Sequence, residues 1–186
     1  MSKPILDEQD DAAEGATPAA RGARIAKGRL GEQKLNDWFK AQQLSYVAIC
    51  QDLASFAPLF RDSVKRPDFL MLIDGIGLIA IDAKNKTLSA HNEFTLTVST
   101  ELARAIAFER LFRMPLWYAF RNCEREDSPW YWINSLKVIE VGVKRLNGQE
   151  VEFLAIKLDE FECIASAADL AKLYTHRPAS YRHLAG

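Results

Sequence analysis

Cysteine and histidine are scarce, with three of each in 186 residues. Cys50, Cys123 and Cys163 are scattered, odd in number, and without metal-ligand spacing. They read as free thiols acting as small apolar residues, and the expected compartment is the reducing cytoplasm. His91 stands alone, and His176 and His183 sit in a polar C-terminal stretch without companions, so no Cys/His zinc pattern is present. No apolar run approaches the ~20 residues that cross a bilayer. The N-terminus shows no basic-then-apolar leader pattern. A Gly-x4-Gly-Lys-Ser/Thr phosphate loop is missing, so nucleotide hydrolysis is unsupported. There are no internal repeats. Neither sign of charge dominates, and a net charge of −1 argues by itself against a strongly basic nucleic-acid binder. The distribution softens that objection. Five carboxylates against Lys3 leave −4 in residues 1–20, and the rest of the chain carries +3.

The length suits one domain with a substantial core, and a 48% hydrophobic share is that of a soluble globular chain. Residues 1–20 are acidic and rich in Ala, Gly and Pro, and are expected to form a disordered tail. One domain is expected over residues 21–175, followed by a tail at 176–186. Residues 21–42 read as a helix with a loose apolar stripe of Ile25, Leu30, Leu35, Trp38 and Phe39. Within it, Gly28 and Gly31 either permit close packing or let backbone approach phosphate. Residues 44–50 read as a strand, and 53–66 as a packed loop or short helix around Phe56, Leu59 and Phe60. A helix is expected over 100–113, capped by Ser99 or Thr100, with Glu101 in its first turn. Its buried face would be Leu102, Ala103, Ile106, Ala107 and Leu111. Residues 115–120 read as a strand, and Trp130-Tyr131-Trp132 as packing at the start of another. Residues 137–144 and 150–158 read as a hairpin closed around Asn147-Gly148. Ser166 with Asp169 resembles a capping box opening a last helix.

The most informative stretch runs from Lys65 to Lys84. Phe69 to Ile73 and Leu78 to Ile81 are apolar runs of strand length, and Asp74-Gly75 between them is a strong turn signal. A fold-back centred near Gly75 puts Asp68 opposite Asp82. Side chains alternate along a strand, so Asp82 and Lys84 share a face and Ala83 points away. Both faces of the hairpin are apolar, so it is expected to be central and covered on both sides. After Lys84, residues 85–92 read as a polar loop.

Two carboxylates this close repel. At 4 Å and an effective dielectric near 20 the cost is about 4 kcal/mol. A bound cation, a protonated carboxyl or solvent screening would relieve it. A divalent, oxygen-seeking ion suits two carboxylates, a backbone carbonyl and waters. Lys65 and Arg66, just before Asp68, either reach a phosphate or form a solvated approach to the strand. Arg104 on the following helix and Lys86 in the polar stretch are further candidates for phosphate contact.

These residues resemble the PD-(D/E)xK nuclease superfamily. Pro67-Asp68 matches the first half of its motif and Asp82-Ala83-Lys84 the second. The 13 residues between the two aspartates are a hairpin's length. Gly31-Glu32-Gln33-Lys34-Leu35 looks like the family's first-helix glutamate segment, and the likeness extends over about residues 25–121. It implies an α/β, restriction-endonuclease-like core: a mixed central sheet flanked by helices, here with an extra C-terminal hairpin and helix. Asp68 and Asp82 would be metal ligands, with the backbone carbonyl of Ala83, and Glu32 would assist, often through water. Lys84 would be the catalytic lysine. The resemblance further implies Mg2+ or Mn2+, and a nucleic-acid substrate, most often DNA. A homodimer is implied if both strands of a duplex are cut. Two other readings keep the same fold: a catalytically silent module that binds nucleic acid or protein, and a secreted nuclease toxin restrained by an immunity protein.

Overall fold

The computed structural model describes residues 17–50, 63–74, 77–148 and 150–175. The expected tails at 1–16 and 176–186, most of the 53–66 segment, and the Gly75 turn centre lie outside the described residues.

Thr17 opens α1 (Pro18–Ala41), its side chain accepting from the Ala20 amide, and Pro18 occupies the first turn, where its missing N–H costs nothing. The helix therefore begins three residues before Arg21, inside the stretch expected to be tail. A short β1 (Tyr46–Ala48) pairs antiparallel with β2 (Phe69–Ile73), which pairs antiparallel with β3 (Gly77–Lys86). The register runs from Phe69 opposite Ile81 to Ile73 opposite Gly77, as a fold-back centred near Gly75 requires. β3 runs parallel to β5 (Leu116–Asn122), which is followed by antiparallel β6 (Trp130–Asn134) and β9 (Glu162–Ile164). The result is a mixed six-stranded sheet in the order β1-β2-β3-β5-β6-β9. A second, three-stranded antiparallel sheet has the order β4-β8-β7, from β4 (Glu93–Thr97), β8 (Glu152–Lys157) and β7 (Val143–Leu146).

Alternation along the central strands builds two cores. Ile79, Ile81, Trp117 and Ala119 pack against Leu35 and Phe39 of α1. Ala80, Tyr118 and Phe120 face Phe94, Leu96 and Ile156 of the second sheet, with Leu102, Ala105 and Phe108. The covering stops at the turn end of the hairpin, where Leu72 and Leu78 are about half exposed, contrary to the expectation of a hairpin covered throughout.

Other expectations are corrected. β3 does not surface at Lys84 but continues to Lys86, because Asn85 and Lys86 pair with Arg121 and Asn122 in the parallel ladder, which needs only backbone groups. The expected strand over 137–144 is mostly helix: Asn134 accepts from the Lys137 amide at 2.7 Å and opens α3 (Ser135–Val141). Only β7 remains as the inbound arm of the second hairpin, which closes at Asn147 as expected, with the Asn147 amide donating to the Val151 carbonyl at 3.1 Å. Neither Ser99 nor Thr100 caps the helix after β4. Instead a π-helical turn (Val98–Leu102) precedes α2 (Ala103–Phe112), and the Ala103 amide donates to the Val98 carbonyl five residues back. The wider turn offsets the helical phase. Leu102, Ala105 and Phe108 are buried, whereas Ala103 and Leu111 are exposed. The terminal helix is a 3-10 turn (Ala167–Ala171) running into a short α4 (Lys172–Thr175). Among the described residues no helix is long and apolar enough to cross a membrane.

One glycine sets how closely α1 meets β3. A Cβ on Gly31 would lie 2.6 Å from Asn85 Cβ, while Asn85 Nδ2 donates to the Lys27 carbonyl at 3.0 Å. Gly31→Ala is therefore expected to destabilise by about 1–3 kcal/mol, as overpacking does. Gly28 meets open space, so Gly28→Ala is expected to gain up to about 1 kcal/mol from helix propensity. Denaturant titration of the two variants checks the contrast. Equal effects would show that the approach of α1 to β3 does not depend on Gly31.

Candidate active site

Pro67 cannot donate to a ladder, and β2 begins two residues after it. Asp68 is held between two strands by its backbone: its amide donates to the Ile81 carbonyl at 2.9 Å, and its carbonyl accepts from the Ile49 amide at 2.9 Å. The β2–β3 register ends with Phe69 opposite Ile81, next to both aspartates, and Asp68 feels the charge of Asp82. Asp68 Oδ2 accepts from the Ala83 amide at 2.7 Å. The two aspartates are 8% and 1% exposed.

Asp82 meets two ammonium groups. Lys65 Nζ lies 2.9 Å from its Oδ1 and Lys84 Nζ 2.8 Å from its Oδ2. Lys84 is also 2.9 Å from Glu101 Oε1, and Lys86 Nζ is 2.8 Å from Glu101 Oε2. Asp82, Lys84 and Lys86 share one face of β3 through the strand period of two. Glu32 follows Gly31 on the stretch of α1 packed against β3, and feels the charges of Asp82, Lys65 and Lys84.

The environment drives the carboxylates apart. Burial, then the charge of Asp82, pushes Asp68 well above the usual carboxylate range. Burial also acts to raise Asp82, but Lys65 and Lys84 outweigh it and hold that carboxyl below its ordinary value. Glu32 is raised, first by burial and then by Asp82. Burial acts against the charge on Lys84, yet Asp82 and Glu101 overcome it and hold the ammonium well above its usual range. The arrangement thus combines an ionised carboxylate, a carboxyl with raised proton affinity, and a lysine locked in its charged form.

Asp82 Oδ2 is buried, with the Lys84 ammonium 2.8 Å away, and a carboxylate oxygen carries two lone pairs. A lone pair is left over on a buried anionic oxygen. Backbone groups of alternate residues point to one edge of a strand. The Ile81 carbonyl and the Ala83 amide both face Asp68, so the Ala83 carbonyl faces the same edge, beyond the start of β2. Among the described residues no group of three or more His, Cys, Asp or Glu side chains is gathered to hold a metal ion. The fit is therefore to two carboxylates, one carbonyl and waters, the oxygen-rich, partly hydrated set that Mg2+ accepts.

The structure brings Glu32, Asp68, Asp82 and Lys84 into one electrostatic cluster. Lys86 joins it through Glu101, with Nζ also donating to the Thr95 carbonyl at 2.9 Å. Arg66 is buried, and its Nη1 donates to the Cys50 carbonyl at 3.0 Å. The Arg104 carbonyl accepts from the Lys65 amide at 3.0 Å, holding the Lys65 segment against α2. Two members of the cluster went unassigned from sequence. Glu101 read only as a favourable charge in a first helical turn, and Lys65 as one of two cations before the motif. The signal for Glu101 was the charge count on β3: two lysines on a buried face against one aspartate call for a second carboxylate.

Glu101 also makes a pH prediction. Lys84 and Lys86 outweigh its burial and hold its carboxyl well below the usual range. A depressed folded pKa contributes stability that is present above the unfolded value and lost as pH falls through the folded one. Thermal stability is thus expected to fall on acidification below about pH 4.3. Glu101→Gln should flatten that acid limb in melts recorded across pH. An unchanged limb would show that the ion pairs contribute nothing there.

The order of elements is a glutamate-bearing helix, a strand, the hairpin, β4 of the second sheet, a helix, then a strand. No family model matches the chain, and no curated protein matches it. Solved structures similar to it include the following two. One is Hjc of Archaeoglobus fulgidus, a Holliday junction resolvase from an archaeal hyperthermophile, at 15% identity and a TM-score of 0.48, covering 78% of this chain and 96% of that one. The other is D212, a nuclease from a fusselovirus, at 13% identity and a TM-score of 0.43, covering 86% of this chain and 93% of that one.

Proposed function

We propose that this chain is a metal-dependent nuclease that hydrolyses phosphodiester bonds of nucleic acid, with DNA as the substrate. The observation that carries the reading is the buried pair Asp68 and Asp82, each within the other's field, with the Ala83 amide on Asp68 and Lys84 on Asp82 Oδ2. Asp68, Asp82 and the Ala83 carbonyl would hold Mg2+ or Mn2+, and Glu32 would act through water. When bound, such an ion lowers the pKa of a water and neutralises charge on a phosphoryl oxygen. The Lys84 ammonium presents fixed positive charge to the phosphate as negative charge grows in the transition state. Lys65 is the more exposed of the two lysines, 24% against 11%, and among the described residues it pairs with Asp82 alone. It is the cation readier to leave Asp82 for a substrate phosphate.

Cleavage of plasmid and oligonucleotide DNA and RNA in Mg2+, Mn2+ or EDTA tests the proposal. DNA cutting with either metal and none with EDTA is the expected result. Binding without cutting of any substrate in either metal would replace the hydrolase with a silent nucleic-acid-binding module.

A pH dependence of metal binding follows. Asp68 and Glu32 favour their protonated forms beyond the usual range and must lose those protons to serve a cation. Affinity is expected to climb as pH rises above the ordinary carboxylate pKa of about 4. The two groups are coupled through Asp82, so the rise belongs to the set. Calorimetry in buffers of different ionisation enthalpy should detect proton release. Binding without protons released at the acid end would contradict the assignment.

A further inference from the structure

The carboxylate of Glu101 is built into the structure more tightly than a residue of a first helical turn requires. It receives Lys84 Nζ at 2.9 Å, Lys86 Nζ at 2.9 and 2.8 Å, the Thr97 amide at 2.8 Å and Thr97 Oγ1 at 3.1 Å. Its backbone carbonyl accepts from the Tyr118 hydroxyl at 3.1 Å, so β3, the end of β4 and β5 all converge on one residue. The π-helical turn is what delivers it. Each residue of an α-helix advances the side-chain direction by about 100°. The extra residue in this turn lets Glu101 meet β3 while Leu102, Ala105 and Phe108 still reach the core. π-Turns inside helices recur at functional sites.

We propose that Glu101 is the positioning residue for Lys84, holding its ammonium at the site independently of Asp82. The inference rests on the reading of Asp68, Asp82 and Lys84 as a hydrolytic centre. A lysine has a flexible four-carbon stem and presents a point charge, so its place is set by its partners. Asp82 cannot be the sole partner, since its oxygens are the ones that would serve a cation. Glu101 contributes no oxygen to the Asp68–Asp82 pair and is free to hold Lys84 throughout. The same carboxylate neutralises Lys86, which leaves that lysine bound within the fold.

The test is a double-mutant cycle on cleavage. Glu101→Gln is expected to lower kcat by about 10–100-fold, the range for residues that orient a working group. KM for DNA and the metal isotherm should stay within about threefold, far short of that loss. In a Lys84→Met background the same substitution should cost nothing further. Glu101→Asp keeps the charge, shortens the reach, and should fall between wild type and Glu101→Gln, which keeps the test open if the glutamine variant does not fold. A kcat unchanged in both variants, or an equal loss with and without Lys84, would overturn the proposal. A readout independent of activity is the 15N signal of the lysine ammonium groups. A slowly exchanging Lys84 signal, assigned by its absence in Lys84→Met, should be seen in wild type and lost in Glu101→Gln. If wild type cuts no nucleic acid, the nuclease reading fails by itself, and this signal still decides whether Glu101 holds Lys84. Its persistence in Glu101→Gln overturns the link.

Discussion

Asp68→Asn is expected to abolish cleavage and at the same time raise thermal stability at neutral pH. The two effects have one cause. Asp68 is buried beside Asp82, and both facts push its carboxyl well above the usual range. A raised folded pKa favours the folded state at low pH, and that contribution is lost as pH rises through the raised value. Near neutrality the ionised carboxylate therefore weighs against folding. Asparagine retains an oxygen for the Ala83 amide, now donated at 2.7 Å, and removes the like charge from Asp82. A gain of about 0.5–2 kcal/mol is expected, the usual size when a strained functional group is neutralised. Cleavage should drop by more than the roughly 10–100-fold typical of losing a supporting contact, because a ligand itself is removed. Melting temperature, the metal isotherm and cleavage rate measured together check this. A variant that melts lower than wild type, or still cuts at its rate, would refute the account of Asp68.

Lys84→Met should move stability the other way and spare the metal. Methionine keeps the length of the side chain but strips one partner from buried Asp82 and one from Glu101, leaving Lys65 and Lys86 as their remaining cations. Breaking a buried ion pair by removing one member costs roughly 3–5 kcal/mol, and the surviving partners should keep the loss at the lower end. Cleavage per folded molecule is expected to fall by about 10²–10³, as when one charge-stabilising donor is lost from a transition state. The isotherm for Mg2+ or Mn2+ should persist, since both aspartates remain. Loss of metal binding together with activity would recast Lys84 as a purely structural counter-ion. The opposite signs of the two stability changes separate a carboxyl that opposes folding from an ammonium that supports it.

The hairpin was legible because its geometry is local. A turn signal, two short apolar runs and the strand period suffice to pair Phe69–Ile73 with Gly77–Ile81, which brings Asp68 near Asp82, and to put Lys84 beside Asp82. Glu32 was reached only through the resemblance, since nothing within α1 says which turn of that helix lies over β3; Gly31 does so once Asn85 is seen against it. The 137–144 segment misled because its alternating residues fit a strand, while the Asn134 side chain caps a helix at the same place. In the 100–113 helix Leu102, Ile106 and Ala107 pack on the core as expected, while Ala103 and Leu111 are exposed and Ala105 and Phe108 take their place, because a π-turn leaves no mark in composition or periodicity.

The chain's residues by themselves determined the fold-back, the nearness of the two aspartates and the shared face of Asp82 and Lys84, all consequences of backbone geometry over fewer than twenty residues. Only the tertiary structure decided that Lys65 and Glu101 would close around them. Those contacts depend on how the Lys65 segment, held on α2, and the π-turn before α2 meet β3, and burial then obliges each charge to find its opposite.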